Sequence, residues 1–428
     1  MSNISRRSFL YMTTGATLVA YAPVIMAQTK KVVIIGGGVG GIIAAKEIRK
    51  ADSTIEVTLI ERNKYYHTGF MSNEVLSGDR TIDAIKFNYN NLHKYGIKIV
   101  YNRAIGIDPA QKRVSLQGGG KIAYDRLIIS PGIDFQWDAI EGYDETVIDK
   151  IPHAWKAGSQ TIILRKQLEA MKDGGTVIIS VPRQPLSCPA APYERASLIA
   201  LYLKQHKPKS KVLVLDAKSA IPQQESFIQG WEKLYGFGTD NSLIEWIPAH
   251  DGGTVMSVDV DHKTVVAGEF EDEYTAEVIN IIPPQIAGQI AKESGLVDES
   301  GWCPVNQKTF ESRLQKDIYV IGDACITKMP KSAYSANTQA NICAKAIVLA
   351  FRGINEMPVK SYFNTCYSLV GKDFGISSAA VYRLEGDTIQ AVKDADGISH
   401  NAGSIEDRKH EVVSARRWYK KITQELFN

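Results

Sequence analysis

The chain alternates short continuous apolar runs with segments of helical period, a pattern that predicts parallel strands covered by helices. Lys31–Ile35 is apolar after its first position, as expected of a strand buried on both faces. Ile42-Ile-Ala-Ala-Lys-Glu-Ile48 then reads as a helix and Glu56–Ile60 as the next strand. A second unit of the same kind runs from a strand at Thr176–Ser180 through a helix ending near Lys204 to a strand at Lys211–Leu215. Shorter strands are predicted at Leu243–Ile247, Gly253–Asp259 and Thr264–Val266, and again at Val278–Ile282 and Ile318–Ile321. Near the C-terminus, Trp418, Ile422 and Leu426 recur at four-residue spacing, which predicts an amphipathic helix with a basic outer face packed on its own protein.

The turns between these elements carry the chemistry. Gly36-Gly-Gly38-Val-Gly-Gly41 is a G-x-G-x-x-G loop between strand and helix, and Glu61 closes the next strand 20 residues beyond Gly41. That context admits a pyrophosphate to the helix N-terminus and places an acid on the adenosine ribose. Far downstream, Gly322-Asp323 ends a strand and offers a carboxylate to a ribityl hydroxyl. FAD is therefore expected on Gly36, Gly38, Gly41, Glu61, Gly322 and Asp323. The second unit has no glycine loop. In its place stands Pro182-Arg-Gln-Pro-Leu-Ser-Cys188-Pro-Ala-Ala-Pro-Tyr-Glu194-Arg, too bulky to let a pyrophosphate approach the backbone. NAD(P)H is thus not expected as electron donor. Cys188 follows a strand end and precedes a helix, where the dipole is expected to stabilise a thiolate.

The fold class expected is α/β: two Rossmann-like three-layer domains, the second without its glycine loop, plus a C-terminal α+β segment. The FAD domain is assigned to 28–140 and 283–352, the second domain to 141–282, and a C-terminal interface segment to 353–428.

Composition narrows the setting. At 428 residues, 44% hydrophobic and 23% charged, the chain can fill two or three cores. A net charge of +3 without a basic run argues against nucleic acid. Residues 1–27 read as a twin-arginine signal, with Arg6-Arg7, an apolar stretch from Phe9 to Ala22 and cleavage at Ala27. That stretch falls short of the roughly 20 residues of a spanning helix. The mature chain is expected in the periplasm, at net charge +1 and without a transmembrane segment. The five cysteines form no C-x-x-C, which excludes a zinc ribbon, a thioredoxin motif and covalent haem attachment, and the eight histidines suggest no metal site.

Several segments resemble the flavoprotein subunit of flavocytochrome c sulfide dehydrogenase, a relative of sulfide:quinone oxidoreductase. They are Cys188-Pro-Ala-Ala-Pro-Tyr-Glu-Arg, Gly301-Trp-Cys-Pro-Val, Met329 through Cys343, Asn364-Thr-Cys-Tyr-Ser with Gly375-Ile-Ser, and Trp418-Tyr. The resemblance implies a redox-active disulfide between Cys188 and Cys343, the latter taken to lie early in a helix under the flavin. It also implies sulfide as substrate and a c-type cytochrome subunit as partner. Glu194 carries two readings: proton transfer, as the resemblance implies, or a first-turn carboxylate stabilised by the helix dipole. Cys303, Cys325 and Cys366 read as structural, with Cys303–Cys366 a candidate second disulfide. Members of the family can carry FAD on a cysteine thioether before Ser-Asn-Glu-Val. Here Gly69 stands at that position, so FAD is expected to be bound non-covalently. Two alternatives remain open: a sulfide:quinone oxidoreductase, and a non-catalytic FAD-binding partner of a sulfur-oxidising complex.

Overall fold

The computed structural model describes residues 29–354, 356–357, 361–399 and 403–428; the segment read as a twin-arginine signal lies outside them. Strands β1 (Lys31–Ile35), β2 (Glu56–Glu61), β3 (Ile97–Tyr101) and β4 (Arg126–Ile129) begin one parallel sheet. Strands β5 (Thr176–Val181), β6 (Lys211–Asp216), β7 (Ile244–Ile247) and β8 (Val278–Ile281) make a second. The chain then returns to the first sheet with β9 (Ile318–Val320), giving the orders β9-β4-β1-β2-β3 and β7-β6-β5-β8. All these pairings are parallel, as the continuous apolar runs predict.

Helix α1 (Val39–Ala51) starts where the glycine loop ends, and its face Ile42, Ile43, Ala44, Ala45 and Ile48 is fully buried. Each large aliphatic side chain buried there contributes roughly 1.5–3 kcal/mol. Two further helices cross the second unit: α3 (Ser159–Ala170) and α4 (Ala191–His206), the latter opening with Pro192 in its first turn and Glu194 beside it. The short helix α2 (Asn73–Ser77) packs on α4. Helix α5 (Ala333–Phe351) lies against α1.

After α5 the chain forms an antiparallel sheet of β10 (Tyr362–Gly371), β11 (Phe374–Glu385) and β12 (Thr388–Ile398), then α6 (Ile405–Phe427). The last helix begins well before the Trp418–Leu426 stripe that predicts it, because Ser404 and Asp407 form a reciprocal capping box there. Its inner face buries Ile422, Leu426 and Phe427 in the FAD-domain core. Phe427 stacks on Phe87 at 4.6 Å. The helix is packed on its own protein, as expected. Among the described residues no helix is long and apolar enough to cross a membrane.

Candidate active site

A cavity of about 1080 Å³ opens where the two parallel sheets and the antiparallel sheet meet. Its FAD-domain wall consists of Gly36–Gly40, Glu61, Ser130, Gly322, Asp323 and the start of α5. Gly36 holds φ +102° and a Cβ there would collide with the Ser130 carbonyl. Gly38 is different: a Cβ on it would face only Tyr66, at 4.0 Å, so its backbone lies open to the cavity. Gly41 does not line the cavity; a side chain on it would strike the Gly36 carbonyl, so it serves the close passage of helix past loop. Glu61 accepts the Gly37 N–H at 2.7 Å and the Asn63 N–H at 2.8 Å, which fixes its carboxylate at the loop. A bare amide loop, an oriented acid and a half-buried Asp323 on one cavity fit a dinucleotide. Tyr89, whose ring sits against Gly37, belongs to the same wall and is a site residue that the motif reading missed.

The opposite wall carries the thiols. Cys188 stands between β5 and α4, and its backbone holds φ +50°, a strained region for a non-glycine residue. Neighbours secure that conformation: the Cys188 N–H donates to the Lys331 carbonyl at 2.7 Å, and the Cys188 carbonyl accepts the Ala191 N–H at 2.9 Å. Ser187 hydrogen-bonds the Asp323 carboxylate at 2.6 Å, tying this loop to the FAD domain. Burial pushes the Cys188 thiol well up, and the charges of Asp323 and Cys366 add to the effect. The expected thiolate stabilisation at the N-terminus of α4 is therefore outweighed by desolvation.

Cys343 does not meet Cys188. It lies ten residues into α5, roughly 15 Å along the axis from the helix start. It is fully buried in the FAD-domain core, near Cys325, and does not line the cavity. The residue that faces the cavity with Cys188 is Cys366 on β10, which hydrogen-bonds Asn364 and is raised by burial. The candidate Cys303–Cys366 disulfide is likewise not formed: Cys303 is fully buried in the FAD-domain core, whereas Cys366 lines the cavity, and both are free. All five cysteines are free thiols in the structure.

Glu194 lines the cavity from the first turn of α4. Burial raises its carboxyl to about 7, while hydrogen bonds from the Leu369 and Asn73 N–H groups pull the other way. Beside it, Arg195 is fully buried and donates to Asn73, Asn280 and the carbonyls of His153 and Ala154. Gly69 also lines the cavity, with nothing within 4 Å of where a Cβ would stand.

Asp216, the acid that closes β6, is fully buried and saturated. It accepts from the Tyr193 hydroxyl, the Trp246 indole at 3.1 Å, and the Lys218 N–H and ammonium at 2.9 and 2.8 Å.

Parallel sheets, a glycine loop and a strand-end Gly-Asp on a shared cavity define a flavoprotein of the pyridine nucleotide-disulphide oxidoreductase fold, and the model of that family matches residues 30–159. The chain binds FAD. Its branch is set by two further matches: the central region of the sulfide dehydrogenase [flavocytochrome c] flavoprotein chain at 161–283, and the flavin-binding region of flavocytochrome c sulphide dehydrogenase at 358–427. The chain belongs to that flavoprotein family. Among curated proteins it is 21% identical to the mouse mitochondrial sulfide:quinone oxidoreductase, over 80% of this chain and 76% of that protein. It is 32% identical to the sulfide-quinone reductase of Aquifex aeolicus, over 43% of this chain and 42% of the other. The solved structure of the Aquifex aeolicus sulfide:quinone oxidoreductase superposes with a TM-score of 0.69 at 20% identity, covering 92% of this chain and 91% of that one. At that identity the likeness concerns the fold.

Proposed function

We propose that the protein oxidises sulfide with FAD, through a redox pair formed by Cys188 and Cys366. The observation that carries this reading is that two thiols, one from the β5–α4 loop and one from β10, line the same cavity as the glycine loop and Asp323. In the oxidised protein the pair is a disulfide. HS⁻ attacks the Cys188 sulfur, the S–S bond breaks, and Cys366 leaves as a thiolate holding the electron pair. Cys188 is left as a persulfide, and Glu194 takes up the proton released. A second HS⁻ attacks the outer sulfur of the persulfide, which leaves as HSS⁻ and frees Cys188 as a thiolate. Cys188 and Cys366 then re-form their S–S bond, and FAD held in this cavity would supply the acceptor for the two electrons that closure releases. Gly69, with open space around it, supports FAD held without a thioether.

The acceptor we favour is a separate c-type cytochrome in the periplasm, reached by twin-arginine export of the chain directed by residues 1–27. The family match supports it, and so does the C-terminal segment, which brings Tyr367 and Trp418 to the cavity wall with ring centroids 6.1 Å apart. Quinone is the second reading, favoured by the curated relatives, which are named as quinone reductases. Anaerobic titration of the purified protein with sulfide tests the reading. Stoichiometric bleaching of the flavin, followed by reoxidation with cytochrome c, supports it. Bleaching reversed only by quinone selects the second acceptor, and absence of bleaching leaves a cofactor-binding subunit without this activity.

A further inference from the structure

Between Glu194 and Arg195 lies a buried amide that neither the motifs nor the family match singles out. Asn73, 4% exposed, begins α2 and reaches across to α4. Its Nδ2 donates to Glu194 Oε2 at 2.8 Å and, more weakly, to the Ala191 carbonyl at 3.4 Å, while its Oδ1 accepts from Arg195 Nε at 3.2 Å. The orientation is forced. A guanidinium can only donate, so the amide oxygen must face Arg195 and the NH₂ must face Glu194. Arg195 cannot turn away to release it. Nη1 is spent on the His153 carbonyl and Asn280 Oδ1, at 3.0 and 2.8 Å, and Nη2 on the Ala154 carbonyl at 2.6 Å. Asn280 is itself fixed by the Pro152 and His153 carbonyls.

The consequence falls on Glu194. Oε1 accepts the Leu369 N–H at 2.8 Å and Oε2 accepts Asn73. Among the described residues its hydrogen-bond partners are these two donors. A protonated Glu194 therefore finds no protein acceptor for its O–H and must aim it into the cavity that it lines. We propose that Asn73 is the positioning residue of the proton site: locked by Arg195, it holds the Glu194 carboxylate so that its proton exchanges with the cavity alone. The inference rests on the reading of Glu194 as the proton-handling group. Charges facing Glu194 come from Arg195 on its own helix and Glu74 on α2, the latter paired with Arg80 and Arg416 at 2.6 and 3.3 Å. Cys188 faces it across the cavity wall.

The test uses the FAD-loaded protein and two readouts. The first is the protonated-carboxyl infrared band that disappears in Glu194→Gln, followed against pH. The second is the pH profile of sulfide-driven flavin reduction. Substrate ionisation is common to all variants, so differences between profiles report on the protein. Asn73→Asp removes the donor at constant shape, and Asn73→Ser removes its reach in a small side chain should the first variant fold poorly. Both are expected to move the carboxyl transition upward, by at least about one pH unit for Asn73→Asp, a tenfold gain in proton affinity. The kinetic profile is expected to move with it. A band that stays at the wild-type midpoint in both variants overturns the inference. A band that moves while the kinetic profile does not leaves Asn73 as the positioning residue and removes Glu194 from the reaction.

Discussion

Glu194 accepts the backbone N–H of Leu369 at 2.8 Å, and that one hydrogen bond joins the helix behind Cys188 to the strand that carries Cys366. Cys188 and Glu194 flank the same loop-to-helix turn, while Cys366 and Leu369 lie on β10. The two thiols come from segments far apart in sequence, and the Glu194 carboxylate ties their supporting elements together. A redox pair needs this kind of constraint, because thiols on independently mobile loops would rarely meet.

Flavin should leave the protein when it is denatured. Gly69 offers no sulfur, so acid precipitation is expected to release all the FAD to the supernatant. Gly69→Cys should fold normally, since a Cβ there meets nothing within 4 Å. Flavin remaining with the washed wild-type precipitate would contradict non-covalent binding.

NADH and NADPH are expected to reduce the flavin poorly. The loop replacing the glycine turn is bulky, and Asp216 already holds the Tyr193, Trp246 and Lys218 donors. A ribose would have to displace buried partners at a cost of about 1–3 kcal/mol for each group left unsatisfied. Stopped-flow reduction at micromolar NADH, as fast as with sulfide, would refute this.

Stability should fall in mild acid because of His153. Burial, with Lys156 and Arg195 nearby, lowers its pKa from the ordinary 6.5 to about 3. Its Nδ1 accepts the Trp155 N–H at 2.9 Å, which requires the neutral ring. The unfolded chain binds this proton below pH 6.5 and the folded chain does not until about 3. Stability is therefore full above 6.5 and lost as pH falls through that window, by up to about 1.4 kcal/mol per pH unit. Urea unfolding of wild type and His153→Gln at pH 7 and 5.5 should show a shallower loss in the variant. Equal losses would remove His153 as the cause.

What the sequence made legible was local. The first strand, the glycine loop and Glu61 lie within one βαβ unit, so spacing alone located them. Cys366 reads as structural in the sequence because its place at the cavity depends on a strand from the C-terminal sheet reaching it. A signal was present: Asn364, Cys366 and Ser368 alternate on one face of β10, and a strand that turns small polar residues inward is building a site. Cys343 misled for the converse reason. It follows the Gly-Asp motif in sequence, but ten residues of helix carry it out of reach of the cavity. Cys188 lies just before α4, where the pattern places it, but burial raises its thiol, and burial is a tertiary property that no dipole argument contains.

The account depends most on the identity of the thiol pair. Cys188→Ser, Cys366→Ser and Cys343→Ser, each loaded with FAD, should be mixed anaerobically with sulfide while the flavin spectrum is followed. Cys188→Ser and Cys366→Ser are expected to retain FAD and lose sulfide-driven bleaching. Cys343→Ser, altered only in the core, is expected to bleach as the wild type does. Full bleaching in Cys366→Ser together with loss in Cys343→Ser would contradict the pairing and return the redox role to Cys343.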